Sequence, residues 1–301
     1  MNAELIKRSS DAYLETVIGS DEVRLRFLQG VWEIQSSVES GAGPYALPQE
    51  DAARDAVATG RPLFRVSTPQ INLGTYLNAV ERISMHCSEH AGLPAQEVEA
   101  LGDMEFAAVL DRESLALAME SPHAFVDAVV EALAARPVPT PTSATIAFVL
   151  MSALTPFLTG PSHGLSELLG EFGQRAAGVG YCPVCGSAAE LGRMGESTSL
   201  KGAERTLWCA TCHAQWSIER IRCVRCGCRN PAKLRYTYVD GDAAHRVHLC
   251  DGCHGYTRFV FADDLSREAS MEVEDAVTLA LHGVASELGY SSAGDGGVKA
   301  C

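Results

Sequence analysis

The sequence predicts a multidomain α+β chain: a mainly helical N-terminal domain, two small β modules each closed on a four-cysteine metal site, and a C-terminal helix. Three observations carry that expectation. Apolar residues recur at helical spacing through most of residues 1–178. Four Cys-x-x-Cys pairs then crowd into residues 182–253, and a last apolar stripe of helical period runs over 271–288.

In chain order, Val23, Phe27, Leu28, Val31, Ile34 and Val38 mark one face of a helix over 22–38, ended by Gly41-Ala-Gly-Pro44. Residues 49–58 predict a short helix, and Gly60-Arg-Pro62 and Thr68-Pro69 are breaks. Further helices are expected over 73–90, 94–119, 121–135 and 143–159, with Phe125, Val129, Val130 and Leu133 as the buried face of the third. Ala144–Leu158 is apolar nearly all round, but it is short for a membrane span and contains Pro156. A buried central helix is the expectation, with no membrane insertion. One more amphipathic helix, 163–178, completes the helical domain.

The pairs Cys182/Cys185, Cys209/Cys212, Cys223/Cys226 and Cys250/Cys253 form an internal repeat, in which a shift of 41 residues maps the first two pairs onto the last two. The same shift superposes Gly186 on Gly227, Arg205 on Arg246 and His213 on His254. Two thiolates separated by two residues sit at the ends of one tight turn and reach the same ion. Two such turns supply a sulfur-only tetrahedral shell, which suits zinc or a single iron. In Cys182-Pro-Val-Cys-Gly186 the proline presets φ, and the glycine is free to take a left-handed conformation. The repeat favours tandem pairing, 182/185 with 209/212 and 223/226 with 250/253, over a cross-braced alternative. Nothing in Met1–Ser20 has a secretory or twin-arginine pattern, which argues against structural disulfides and for a cytoplasmic setting. Four pairs in register do not fit a single dithiol redox motif.

Strands are expected where aromatic and β-branched residues cluster: Arg205–Trp208, Leu234–Val239, Arg246–Leu249 and Tyr256–Phe261. Small sheets clipped by two cysteine turns make a rubredoxin-like or zinc-ribbon-like module, in which metal replaces a core the module is too short to build. The expected boundaries are 1–178 for the helical domain, 179–222 and 223–265 for the modules, 266–291 for a helix packing back, and 292–301 for a flexible tail. Ser270 is placed as the N-cap of that helix, acids Glu272 and Glu274 in its first turn, and Gly289 as its stop.

Net charge is −14, but residues 181–264 hold 11 Lys and Arg against 9 Asp and Glu, leaving 13 against 29 elsewhere. So acidic a surface repels nucleic acid and anionic membranes. Arg220, Arg222, Arg225, Arg229, Lys233 and Arg235 form a basic run around the third cysteine pair, a candidate docking patch for an acidic partner. A ribbon that binds nucleic acid would use Trp216, Tyr236, Tyr238 and Tyr256 for stacking; the alternative is that they fill the modules. His213 and His254 are candidate hydrogen-bond donors to sulfur or are merely exposed. Outside the eight ligands, Cys228 is a spare nucleophile or an incidental thiol, Cys87 a small buried apolar residue on a helix, and Cys301 terminal. No Ser/His/Asp order, phosphate-binding glycine loop or paired-carboxylate motif stands out, so no enzyme is expected.

Cys182-Pro-Val-Cys-Gly-Ser187, Leu207-Trp-Cys-Ala-Thr-Cys-His-Ala-Gln-Trp216 and Arg220-Ile-Arg-Cys-Val-Arg-Cys-Gly227 resemble the formate dehydrogenase accessory protein family, FdhE. Leu234-Arg-Tyr236, Cys250-Asp-Gly-Cys-His-Gly-Tyr256 and Asp275, Leu279 and Gly289-Tyr290 continue the resemblance in order. It extends from about 20 to 290 and is motif-grade over 180–290. Ala189 stands where the family usually has proline, His282 where it has an acid, and a Gly/Ser-rich tail replaces its Asn-Pro ending. The resemblance implies a cytoplasmic maturation factor that binds the catalytic subunit of a molybdenum- or tungsten-dependent formate dehydrogenase, with rubredoxin-like iron centres; zinc is the alternative ion. Redox or sulfur-relay chemistry on that client is the alternative, and a nucleic-acid-binding ribbon the second.

Overall fold

The computed structural model describes residues 1–38, 45–136, 140–172, 180–195, 204–265 and 268–292. Its helical part runs α1 (Ala3–Leu14), α2 (Ser20–Ser37), α3 (Glu50–Ala58), α4 (Leu73–His90), α5 (Ala95–Gly102), α6 (Arg112–Glu120), α7 (Pro122–Ala134) and α8 (Ser143–Phe172). Local chemistry sets several starts. The Asn2 and Asn72 side chains accept from Leu5 N and Thr75 N, and Asp111 and Ser114 form a reciprocal capping box. The stretch expected as one helix over 94–119 is two, because the chain leaves α5 at Asp103, makes a 3-10 turn over Phe106–Ala108 and restarts behind Asp111. The core is where α4, α7 and α8 meet. Tyr76 sits there, its ring edge-on to Phe125 and Phe157 and its hydroxyl donating to Leu150 O at 3.0 Å.

Helix α8 is a single 30-residue helix that passes through Pro156 and Pro161, where two helices were expected. Pro156 has no N–H for the carbonyl four residues earlier, Ser152. The buried Gln35 side chain of α2 replaces it, donating Nε2–H to Ser152 O at 2.8 Å. A partner helix thus satisfies what the proline leaves open. By length and composition alone α8 is long and apolar enough to cross a membrane. Here Ile146, Val149, Leu150, Leu154 and Phe157 lie in the protein core. The expected stop at 41–44 and the end of the 163–178 helix lie outside the described residues.

Six strands form one sheet: β1 (Leu191–Met194), β2 (Arg205–Trp208), β3 (Gln215–Ser217), β4 (Leu234–Tyr238), β5 (His245–Cys250) and β6 (Gly255–Phe261), in the order β3-β2-β1-β6-β5-β4. The order exposes the repeat. Strands β1-β2-β3 and β4-β5-β6 are each antiparallel, and the parallel pairing of β1 with β6 joins the two halves. Strands β1 and β3 were not anticipated; β1 is short and holds Gly192, where a Cβ would fall 2.3 Å from the Phe259 ring. Helix α8 covers the β3 edge, and Ser166 Oγ accepts from Gln215 N at 2.9 Å.

The last stretch is two helices, α9 (Met271–Val277) and α10 (Ala280–Glu287), rather than one. Arg258, 2% exposed on β6, puts its guanidinium into the break, donating to Asp275 O and Thr278 Oγ1 at 2.9 Å and to Asp275 Oδ1 at 2.6 Å. Ser270 stands at the N-cap position, but its hydroxyl goes to Glu272 and not to a helix N–H. Helix α9 packs on α1 and α2 through Val273, Ala276, Ile6, Leu25 and Trp32. Helix α10 packs on the sheet through Leu281, Ala285, Val247 and Leu249. The sequence-expected tail 292–301 lies beyond the described residues save for Ser292.

Candidate metal centres

All four Cys-x-x-Cys turns have one geometry. In each, the residue after the second cysteine bonds back to the carbonyl of the first: Gly186 N to Cys182 O, His213 N to Cys209 O, Gly227 N to Cys223 O and His254 N to Cys250 O, at 2.8–3.0 Å. That residue has positive φ every time, 84° and 77° at the glycines and 60° and 50° at the histidines. Left-handed φ closes the turn so that both sulfurs face the same side. The first and third turns are loops ahead of β1 and β4. The second and fourth are the hairpin ends of β2–β3 and β5–β6.

The turns bring the sulfurs together in tandem, 182, 185, 209 and 212 in one cluster and 223, 226, 250 and 253 in the other, each set within 4.8 Å. The cross-braced pairing is not what forms. Cross-turn sulfur separations are 3.6 and 3.7 Å in the first cluster and 3.8 Å twice in the second. A tetrahedral ion with metal–sulfur bonds of about 2.3 Å needs edges of about 3.8 Å. The residues fit the group. Burial pushes the Cys182 and Cys212 thiols well up, and that of Cys223 to about 11. At Cys185 and Cys226, which the repeat makes equivalent, burial acts upward too, but hydrogen bonds from the neighbouring groups outweigh it and hold each thiol low. A divalent cation would displace the remaining protons.

The clusters differ in surroundings. The first is fully enclosed, and its Pro183 and Val184 carbonyls accept from Leu63 N and Phe64 N of a 3-10 turn in the helical part, at 2.9 and 3.0 Å. The second lies nearer the surface, with Cys226 half-buried. Cys228 occupies the place that the repeat gives Ser187: the Cys182 and Cys223 amides donate to the Ser187 and Cys228 carbonyls, both at 2.7 Å. Its backbone therefore has a structural role. Cys87 is buried on α4, its thiol pushed up to about 11 by that burial. Cys301 lies outside the described residues.

His213 and His254 share the left-handed turn position and face different partners. The His213 ring lies against Trp208, with Nδ1 3.2 Å from Glu272 Oε1. Burial pushes the Glu272 carboxyl up, but His213 and Ser270 outweigh it and bring it to about 2. His254 is exposed and stacks on Tyr290. The basic run also divides. Arg225 turns inward and donates to Tyr256 O, Arg229 pairs with Glu219, and Arg235 pairs with Asp251. Arg220 is exposed and Arg222 half-buried, and no ion pair forms at either among the described residues. Of the aromatics, Trp216 and Tyr256 are buried, while Tyr236 and Tyr238 are exposed at 59% and 46%. Sequence reasoning missed the buried Arg205, whose only signal was its repeat partner Arg246. It also missed the cluster of Tyr13, Asp242, His245 and Glu274, which sequence distance hides.

No family model matches the chain. Over 132 residues it is 27% identical to the FdhE homolog of Shewanella oneidensis, covering 44% of this chain and 42% of that protein. The FdhE homolog of Pseudomonas putida is 31% identical over 143 residues, 43% of each chain. That of Aquifex aeolicus is 29% identical over 113 residues, 36% of this chain and 38% of the relative. The chain thus spans about two fifths of the length of these curated relatives. The crystal structure of the FdhE protein from Pseudomonas aeruginosa is similar in fold, with a TM-score of 0.58 at 20% identity, over 96% of this chain and 90% of that one.

Proposed function

We propose that the chain is a member of the FdhE family, which it resembles in sequence over about two fifths of its length and in fold over most of it, and that it is a cytoplasmic accessory factor for a molybdenum- or tungsten-dependent formate dehydrogenase. In this reading it binds the catalytic subunit of that enzyme and is needed for its activity, without turning over a substrate itself. The observation that supports it most is the pair of four-sulfur clusters, which make firm surfaces out of segments too short to hold a core of their own. Cys182, Cys185, Cys209 and Cys212 would hold one ion, and Cys223, Cys226, Cys250 and Cys253 the other. The family resemblance favours iron, and the donor set suits zinc as well. Iron would add one-electron chemistry, whereas zinc would supply structure alone.

The test is deletion and capture. Cells lacking the protein should lose formate dehydrogenase activity, and the tagged protein should bring down the catalytic subunit. Full activity in the deletion strain, or no capture of that subunit, removes the reading. A redox role has one observation in its favour, the position of Cys226 near the surface. Anaerobic purification with metal analysis and a visible spectrum separates the two: two irons with colour support redox action, two zincs without colour support scaffolding. The nucleic-acid alternative is weakened by the burial of Trp216 and Tyr256, which takes two of its four stacking rings out of reach.

A further inference from the structure

Beside the second cysteine cluster is a cavity of about 210 Å³ between the face of β4–β5–β6 and the segment 220–224. Its wall is cationic for a structural reason. Arg205 is 2% exposed, with its guanidinium stacked on Phe259. Its Nη1 donates to the carbonyls of Glu219, Arg220 and Arg222 at 3.2, 3.3 and 2.6 Å. Those three bonds draw the backbone of the segment inward and leave the Arg220 and Arg222 side chains to line the opening. Among the described residues neither Arg205 nor Arg222 has a carboxylate within salt-bridge distance, and the Nε of each has no hydrogen-bond partner; those two atoms are closed to solvent, so it is the guanidinium charge and not Nε itself that the cavity meets. A buried guanidinium facing a cavity without a counter-charge is costly, and an anion there removes the cost.

The second cluster does not itself cancel this charge. Four thiolates around a divalent ion carry about two net negative charges against three guanidiniums, leaving about one positive charge at the cavity. Arg235 also lines the cavity, but its charge is met by Asp251 at 2.7 Å; Leu234, Tyr236, Val224 and the exposed Ile221 give the lining an apolar side. Cations at one end and an apolar wall beside them suit a carboxylate carried on a short hydrocarbon stem better than a compact phosphate. We propose that this cavity is a binding site for a carboxylate on an alkyl stem, of the kind a glutamate side chain of another protein presents.

This goes beyond the accessory role and does not depend on it. The test uses the full metal-loaded protein and three probes, titrated calorimetrically at low salt: a blocked tetraglutamate peptide, free glutarate and inorganic phosphate. The expected result is saturable peptide binding that weakens as salt is raised, with phosphate weaker by about tenfold or more. Glutarate binding as tightly as the peptide would assign the site to free dicarboxylates, with the carboxylate chemistry upheld. Arg220→Gln/Arg222→Gln should lower peptide affinity by about tenfold or more, and Arg229→Gln, whose arginine is paired elsewhere, should leave it unchanged. If the double variant fails to fold, Arg220→Gln alone, at an exposed position, should still weaken binding severalfold. Absence of saturation by any probe, equal affinity for phosphate, or unchanged affinity in the Arg220 variants overturns the proposal. Loss of peptide binding with capture of the formate dehydrogenase subunit intact would separate this site from the accessory reading, which then stands on its own.

Discussion

The four cysteine turns demand one backbone state from four residues, and two of these are histidines. Left-handed φ costs a non-glycine residue roughly 1 kcal/mol, and a β-branched one more. His254→Gly should therefore stay within about 1 kcal/mol of the parent, relief of strain offsetting the lost stacking on Tyr290. His254→Val should cost about 2 kcal/mol or more and weaken metal retention, read by thermal denaturation and metal content. Equal stability of the two variants would show that the turn does not depend on this φ. His245 makes a second prediction. Its Nδ1 lies 2.7 Å from Asp242 Oδ2, its Nε2 2.7 Å from Glu274 Oε2, and Tyr13 donates to the same Glu274 oxygen at 2.8 Å. Burial pushes the His245 pKa down, but Asp242 and Glu274 outweigh it and raise it to about 9. A folded value above the unfolded one means stability that is full below about pH 6.5 and is lost as pH rises through about 9. Its size is up to about 3 kcal/mol. His245→Gln should lower stability at pH 6 and flatten the decline between pH 6 and 10; an unaltered slope would remove the histidine from that role.

At the scale of the elements, legibility follows how local the cause is. The cysteine turns and their tandem partners could be read because the repeat writes them twice, and β2, β4, β5 and β6 because their residues are β-branched or aromatic. The continuity of α8 could not, because a proline ends a helix unless a distant group takes the freed carbonyl, and that group is Gln35 on α2. The break between α9 and α10 was hidden for the same reason, since it is set by Arg258 on β6. Nor was the short β1 visible, held as it is by a parallel partner 67 residues on, with Leu191 opposite Arg258. Of the basic run, sequence shows the charges but not which of them fold inward, as Arg225 does. The α8 argument has a direct consequence. Gln35→Leu leaves Ser152 O unsatisfied in the core, at a cost of about 1–3 kcal/mol. Gln35→Glu should be worse still, placing an acceptor against an acceptor. Urea denaturation measures both, and a Gln35→Leu variant as stable as the parent would mean that the carbonyl needs no donor.

Across the whole molecule the two sulfur clusters do different mechanical work even though they come from one repeated module. The first joins three bodies of structure: its first turn bonds to the Leu63–Phe64 turn of the helical part, its second is the β2–β3 hairpin end, and α8 packs over β3. Leu63 and Phe64 are wholly buried there, so opening that cluster exposes core on both sides. The second is bounded by its own three strands and the segment 220–224, which is tied to the first half by individual hydrogen bonds such as Gly180 N to Val224 O and Arg205 Nη1 to Arg222 O, and Cys226 is within reach of solvent. A structural ion in such a shell contributes on the order of 10 kcal/mol of apparent binding free energy, which is also folding free energy. Losing it at the first cluster should unfold the joint, and at the second only the outer half-sheet. Cys182→Ser/Cys185→Ser is expected to lose one ion and much of the helical circular dichroism at 37 °C, whereas Cys223→Ser/Cys226→Ser should lose one ion and keep the helical signal. In the parent, a chelator should withdraw the second ion before the first, because the path to Cys226 is open and that to Cys182 is not. Hydrogen exchange during chelation would locate the order of events: early exposure of 220–256 with 60–66 still protected is the expected pattern, and simultaneous exposure of both would show that the two centres open as one unit.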